Sequence, residues 1–207
     1  MEIGIFGGSF DPVHRGHLAV AEAALRECGL DEVWMMMSPE NPLKSGRDMA
    51  PDADRLNMLR IAVEEVAPDC RGRIQASDFE CGLSRPSYTV DTLRALSRRY
   101  PDCRFRLIVG EDNLEKFHLW REPETILRDY GLIVYPRAGE GNKSATVESK
   151  EASEFVYILE GVRLYPVSST AIRRLAAGGA TADALAEQTF PGVAEYIITH
   201  NLYKEHI

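Results

Sequence analysis

"GIFGGSFDPVHRGH", Gly4 to His17, is the stretch on which the reading of this chain turns. It packs four glycines and two histidines into fourteen residues, directly after Met1-Glu2-Ile3. "EIGIF" is a short apolar run bounded by glycine, the pattern of a buried strand. From Gly16 the period changes. Leu18, Ala21, Leu25 and Cys28 are spaced three or four apart, which lays an apolar stripe along a helix. The stretch is therefore a strand-to-helix turn, and three readings compete for it: a phosphate site, a metal site or a plain turn. It has neither G-x-x-x-x-G-K-[ST] nor G-x-G-x-x-G, so neither common phosphate fingerprint is met. Gly7 and Gly8 carry no Cβ and let a ligand approach the backbone. The N–H groups opening the following helix favour an anion. His14 and His17, with Gly16 between them, can turn into one crevice and donate to phosphate oxygens. No third ligand stands at helical spacing beside them, which weighs against a stable zinc site.

Outward from this turn, strand and helix patterns alternate. "EVWMMMS" reads as a second buried strand. Asp54 caps or leads a second helix with Leu56, Leu59, Val63 and Val66 inward, ended by Pro68. "RIQAS" is a third strand, and "SYTVDTLRALSRRY" a helix with Val90, Leu93 and Leu96 inward. "RFRLIVG", "GLIVYPR", "EFVYIL" and "VRLYPV" read as strands, and "EPETILRDY" as a short helix. Ala138 to Ser153 has no aromatic residue and little periodicity, the composition of an exposed loop. From Ser169 the chain is helical. This alternation predicts an α/β fold, Rossmann-like and doubly wound, with a mostly parallel sheet and helices on both faces. It is taken as one domain over 1–207, with residues 168–207 a C-terminal helical part. Ligands of such sheets bind beyond the carboxyl ends of the strands, at the switch point.

Bulk composition narrows the classes. The 207 residues carry a net charge of -8 and are 44% hydrophobic, enough for a packed core. An acidic surface repels nucleic-acid backbones, so no nucleic-acid partner is expected. No run approaches the roughly 20 apolar residues of a membrane helix, and Met1-Glu2-Ile3 lacks the basic start of a signal peptide. Cys28, Cys70, Cys81 and Cys103 form no C-x-x-C pair and read as reduced thiols of a cytoplasmic protein. The oligomeric state, monomer or homo-oligomer, stays open.

"GGSFDPVHRGH" resembles the signature of the nucleotidyltransferase superfamily, whose members carry His-x-Gly-His on a Rossmann-like sheet and bind a nucleoside triphosphate with it. With Ser9-Phe10-Asp11-Pro12 ahead of His14, it is most similar to the bacterial nicotinate-nucleotide adenylyltransferase family. That resemblance implies transfer of AMP from ATP to nicotinate mononucleotide, with Mg²⁺ carried on ATP and pyrophosphate released. Later segments match in order. "NPLK" (Asn41 to Lys44) resembles the family's Pro-Pro-His-Lys, with Leu43 in place of histidine; Asn41 and Lys44 are implied in mononucleotide binding, and Lys44 also in catalysis. "RPSYTVDTL" (Arg85 to Leu93) is similar to the segment that lies beside the mononucleotide, which implies Ser87, Tyr88 and Thr89; Ser87 is also a fair N-cap. "LIVGEDN" departs from the family's Gly-Ala-Asp at Glu111 but keeps Gly110 and Asp112, implied in ATP binding. "FHLW" resembles Phe-x-x-Trp and implies Trp120, with Arg121 beside it, at the pyridine ring. "VSSTAIR" (Val167 to Arg173) resembles Ser-Ser-Thr-x-x-Arg, which implies Ser168, Ser169, Thr170 and Arg173 at the triphosphate. Gly7, Gly8, Ser9, Phe10 and His17 are implied on ATP, and His14, His17, Lys44 and Arg173 in catalysis. The alternatives are another nucleotidyltransferase of this superfamily, acting on nicotinamide mononucleotide, phosphopantetheine or a cytidylyl acceptor, and a nucleotide-binding regulator without turnover.

Overall fold

The first strand, β1 (Glu2–Gly8), lies inside the sheet, flanked on both sides, and the rest of the fold is laid out from it. The computed structural model describes residues 1–39, 49–84, 87–136 and 154–204. In chain order the elements are β1, α1 (Arg15–Glu27), β2 (Glu32–Met37), α2 (Asp52–Val63), β3 (Ile74–Ser77), α3 (Thr89–Arg99) and β4 (Arg104–Gly110). Then come α4 (Glu111–Glu115), α5 (Pro123–Tyr130), β5 (Leu132–Tyr135), β6 (Val156–Ile158), α6 (Ser169–Ala177), α7 (Ala182–Ala186) and α8 (Pro191–Thr199). The strands form one sheet in the order β3-β2-β1-β4-β5-β6, and every pair is parallel. Strand order reverses between β1 and β4, which makes their carboxyl ends the switch point.

Alternation along the strands builds two cores. Ile3, Ile5, Met36, Leu107, Val109 and Val134 face α3 and α5. Phe6, Val33, Met35, Met37, Ile108 and Ile133 face α1, α2 and the C-terminal helices. Both faces are thus covered, as an all-parallel sheet requires. The C-terminal helices share the second core through Ile172, Leu185, Val193 and Ile197. A polar contact fastens α8 to α2: the Tyr196 hydroxyl donates to Asp54 Oδ1 at 2.9 Å and accepts from Asn57 Nδ2 at 3.1 Å.

Several expectations need correction. The inner face of α2 is Arg55, Met58, Leu59 and Ala62, while Leu56 and Val63 are only half-buried. The apolar pattern skipped the arginine, and the true stripe sits one position earlier. The helix stops at Val63, well before Pro68, which opens a short 3-10 turn. "VRLYPV" forms no strand; residues 162–167 run as irregular chain toward α6. Ser87 is not the cap of α3, because Tyr88 holds that position. The loop expected from Ala138 to Ser153 lies outside the described residues.

Leu93 is fully buried under the sheet, whereas Leu119 is 72% exposed. Urea unfolding is expected to show Leu93→Ala losing about 2–5 kcal/mol and Leu119→Ala losing less than about 0.5 kcal/mol.

Candidate active site

The turn from β1 to α1 sits at the switch point, and its glycines do different work. Among the described residues a Cβ on Gly7 would meet nothing within 4 Å. A Cβ on Gly8 would lie 3.0 Å from the Phe10 ring, and one on Gly16 3.2 Å from the His14 ring. Gly8 and Gly16 are therefore needed by packing, whereas Gly7 leaves room above the strand end. Phe10 takes a left-handed φ of 43° and is 1% exposed. That conformation costs a bulky residue energy and persists because the ring is locked in the core. Its ring is packed beneath the turn against Phe6 and His17.

The two histidines form one unit. Their rings stack with centroids 3.7 Å apart, and Phe10 packs edge-on against His17 at 5.1 Å. The His14 N–H donates to His17 Nδ1 at 3.1 Å. That bond occupies the Nδ1 lone pair, so a neutral His17 carries its proton on Nε2 and donates from there. His14 is also the N-cap residue of α1, which places both rings at the positive end of that helix.

A second helix start meets the first. Val167, just ahead of α6, comes within 3.9 Å of a Cβ built on Gly16. Ser168 caps α6, its Oγ accepting from the Ala171 N–H at 3.2 Å. Ser169 Oγ donates to the Pro12 carbonyl at 2.9 Å. Arg173 Nη1 donates to the Asp11 carbonyl at 2.6 Å, and its Nη2 donates to Thr170 Oγ1 at 3.3 Å. Thr189, fully buried, donates to the Val13 carbonyl at 2.7 Å. Three successive carbonyls of the turn are thus held by side chains of the C-terminal part, two from α6 and one from the link between α7 and α8. Ser169 and Arg173 brace the turn as well as lining its crevice.

Sequence patterning missed the residue that anchors this site most firmly. Arg55 is fully buried. It donates to Ala50 O at 3.0 Å, Ser9 O at 2.8 Å, Ser38 O at 2.9 Å, Pro39 O at 3.0 Å and Asp52 Oδ1 at 2.6 Å. All five guanidinium N–H groups have a partner. Its only signal was its place at i, with Met58, Leu59 and Ala62 at i+3, i+4 and i+7. Asn41 and Lys44 lie outside the described residues; Arg55 holds the chain on either side of that stretch.

At the end of β4, a Cβ on Gly110 would meet Asp112 Oδ1 at 2.6 Å and the Tyr135 ring at 3.1 Å. Glycine there lets the Asp112 carboxylate fold over the strand end; Glu111 opens α4 beside it. Ser87, Tyr88 and Thr89 lie at the start of α3, on the same carboxyl edge of the sheet. The Arg121 guanidinium sits 4.9 Å over the Tyr88 ring and pairs with Asp91 at 3.1 Å. Leu83, Ser84, Ser87, Tyr88, Asp91 and Arg121 line a cavity of about 310 Å³. Trp120 packs on Phe117 with ring centroids 5.5 Å apart, and its indole N–H has no hydrogen-bond partner among the described residues.

Residues 5–175 match the cytidylyltransferase-like family model. A Flavobacterium johnsoniae protein named "Probable nicotinate-nucleotide adenylyltransferase" is 36% identical over 205 residues, spanning 99% of this chain and 100% of its own. A Bacteroides fragilis protein of the same name is 41% identical over 176 residues, 85% of this chain and 82% of its own. The chain belongs to the nicotinate-nucleotide adenylyltransferase family. Plasmodium falciparum nicotinic acid mononucleotide adenylyltransferase, solved complexed with NaAD, superposes with a TM-score of 0.75 at 21% identity, covering 98% of this chain and 97% of that one. At that identity the likeness shows a shared fold. Among adenylyltransferase residues suggested by the sequence, the structure gathers Gly7, Ser9, His14, His17, Ser168, Ser169, Thr170 and Arg173 around one turn.

Packing and hydrogen bonding predict very unequal effects at two positions of this site. In chemical denaturation, Arg55→Met is expected to lose about 3–5 kcal/mol, because it strands the acceptors the guanidinium served. Gly7→Ala is expected to change stability by less than about 0.5 kcal/mol.

Proposed function

We infer that the protein transfers AMP from ATP to nicotinate mononucleotide, giving deamido-NAD and pyrophosphate in NAD biosynthesis. The observation that carries this reading is the convergence of two helix N-termini on the stacked His14–His17 pair, beside the open space at Gly7. Helix starts and imidazole N–H groups suit a triphosphate. Relatives alike over nearly the whole chain carry that activity in their names. A phosphate oxygen of the mononucleotide attacks the α-phosphorus of ATP in line, and pyrophosphate departs. The attacking oxygen is already anionic, so no general base is required; catalysis is positioning plus stabilisation of moving charge. His17 donates from Nε2 to the phosphate chain, with His14 stacked beside it. Arg173 supplies fixed positive charge, and Lys44 supplies a second cation.

Magnesium enters as part of the nucleotide, MgATP, since Mg²⁺ prefers phosphate oxygens and water to an all-protein cage. Among the described residues no three His, Cys, Asp or Glu side chains gather to hold a metal ion, and Asp112 is the acid we place nearest the nucleotide. The half-buried Trp120 offers a face for the pyridine ring, with Ser87, Tyr88, Thr89 and Arg121 at the mononucleotide. We treat residues 1–207 as one catalytic domain, which the core shared by α1, α2 and the C-terminal helices supports. The four cysteines are free, which supports a cytoplasmic setting. Among the described residues no helix is long and apolar enough to cross a membrane.

Pyrophosphate release with ATP and either nicotinate or nicotinamide mononucleotide tests the assignment. Release with the nicotinate form is expected; release with neither overturns it. His17→Ala is expected to keep its circular dichroism spectrum and lose about 10²–10³ in turnover. Gly7→Ala is expected to raise KM for ATP at unchanged melting temperature, since its methyl group enters only the nucleotide's space.

A further inference from the structure

Tyr203, just beyond α8, reaches the phosphate turn. α8 closes with Leu202 N–H on Ile197 O at 3.0 Å and Asn201 N–H on Ile198 O at 3.2 Å, an ordinary helix stop with Asn201 left-handed. Tyr203 is left-handed too, with φ 63°, and no helix cap explains it. A bulky residue stays in that region only where its surroundings over-determine it. Here the determinant is Asp11. The Tyr203 hydroxyl donates to Asp11 Oδ1 at 2.8 Å, across 192 positions of sequence.

Asp11 is 3% exposed and carries its carboxylate into the base of the site. Oδ1 also accepts the Ala50 N–H at 3.2 Å. Oδ2 lies 3.6 Å from Arg173 Nη1, whose hydrogen bond goes instead to the Asp11 main-chain oxygen at 2.6 Å. Arg173 is thus ion-paired with the buried carboxylate at 3.6 Å but gives it no hydrogen bond. Burial, with Asp11 beside it, pushes the Tyr203 phenol far above its ordinary pKa, so it remains a proton donor. Without that hydroxyl the carboxylate loses one of its described donors, and the adjacent guanidinium is the group able to replace it.

We propose that Tyr203 is a positioning residue for the phosphate turn: by donating to Asp11 it keeps the Asp11–Arg173 ion pair long and leaves the remaining guanidinium N–H groups to the nucleotide. The proposal rests on the adenylyl-transfer reading, and the two fail separately. Pyrophosphate release is measured for the full-length wild type, Tyr203→Phe, Arg173→Lys and the double variant, with ATP and nicotinate mononucleotide varied in turn. A wild type inactive with both mononucleotides overturns the reaction. With an active wild type, Tyr203→Phe is expected to lower kcat/KM for ATP about tenfold, the scale of one hydrogen bond to a charged group. KM for the mononucleotide is expected to stay unchanged. In the Arg173→Lys background the same substitution is expected to have less than about a twofold effect, because the two act as one unit. Three results overturn the proposal: wild-type ATP kinetics in Tyr203→Phe, an equal loss in both backgrounds, or a Tyr203→Phe chain that does not fold.

Discussion

The turn between β1 and α1 is held by its carbonyl oxygens, and the rest of the site depends on that. Ser9 O is bonded by Arg55, Asp11 O by Arg173, Pro12 O by Ser169 and Val13 O by Thr189. A trans peptide unit is planar with N–H and C=O opposed, so drawing the Val13 carbonyl onto Thr189 turns the His14 N–H the other way. The His14 N–H settles on His17 Nδ1 and orients that ring. No residue of the turn supplies these four donors. One comes from α2 and three from the last forty residues, so the turn acquires its shape only when the chain has closed on itself.

The sheet supplies the place. β1 lies between β2 and β4, and the end of β1 and the end of β4 open side by side where the strand order reverses. Gly7 leaves space above one strand end, and Gly110 lets Asp112 fold over the other. The start of α3 shares the same edge, with Tyr88 and Arg121 stacked against each other beside it. The helix N-termini and the stacked histidines therefore stand on the same edge as the cavity lined by Tyr88 and Arg121.

Much of this was legible before folding. The alternation of strand and helix, the switch-point turn and the inner face of α3 (Val90, Leu93, Leu96) follow from periodicities of two and 3.6, which are local properties. α2 was misread because periodicity arguments treat arginine as outward-facing, yet Arg55 is inside with every donor engaged. Ser87 looked like a cap by residue type; the helix begins one residue later, at a position where Tyr88 offers no capping oxygen. "VRLYPV" alternates like a strand but reaches α6 as irregular chain, since β6 already ends the described sheet.

The sequence by itself determined the α/β class, the place of the phosphate turn and the residue types gathered there, because short-range patterning and glycine stereochemistry are written in neighbouring residues. Only the tertiary structure decided that "SSTAIR" braces the turn, that Phe10 is buried beneath it, and that Arg55, Thr189 and Tyr203 hydrogen-bond to it. Those roles are hydrogen bonds to main-chain oxygens or to one buried carboxylate, made across 46, 176 and 192 positions of sequence. A main-chain carbonyl is the same at every residue, so no pattern of side chains along the chain announces which of them a distant donor will reach.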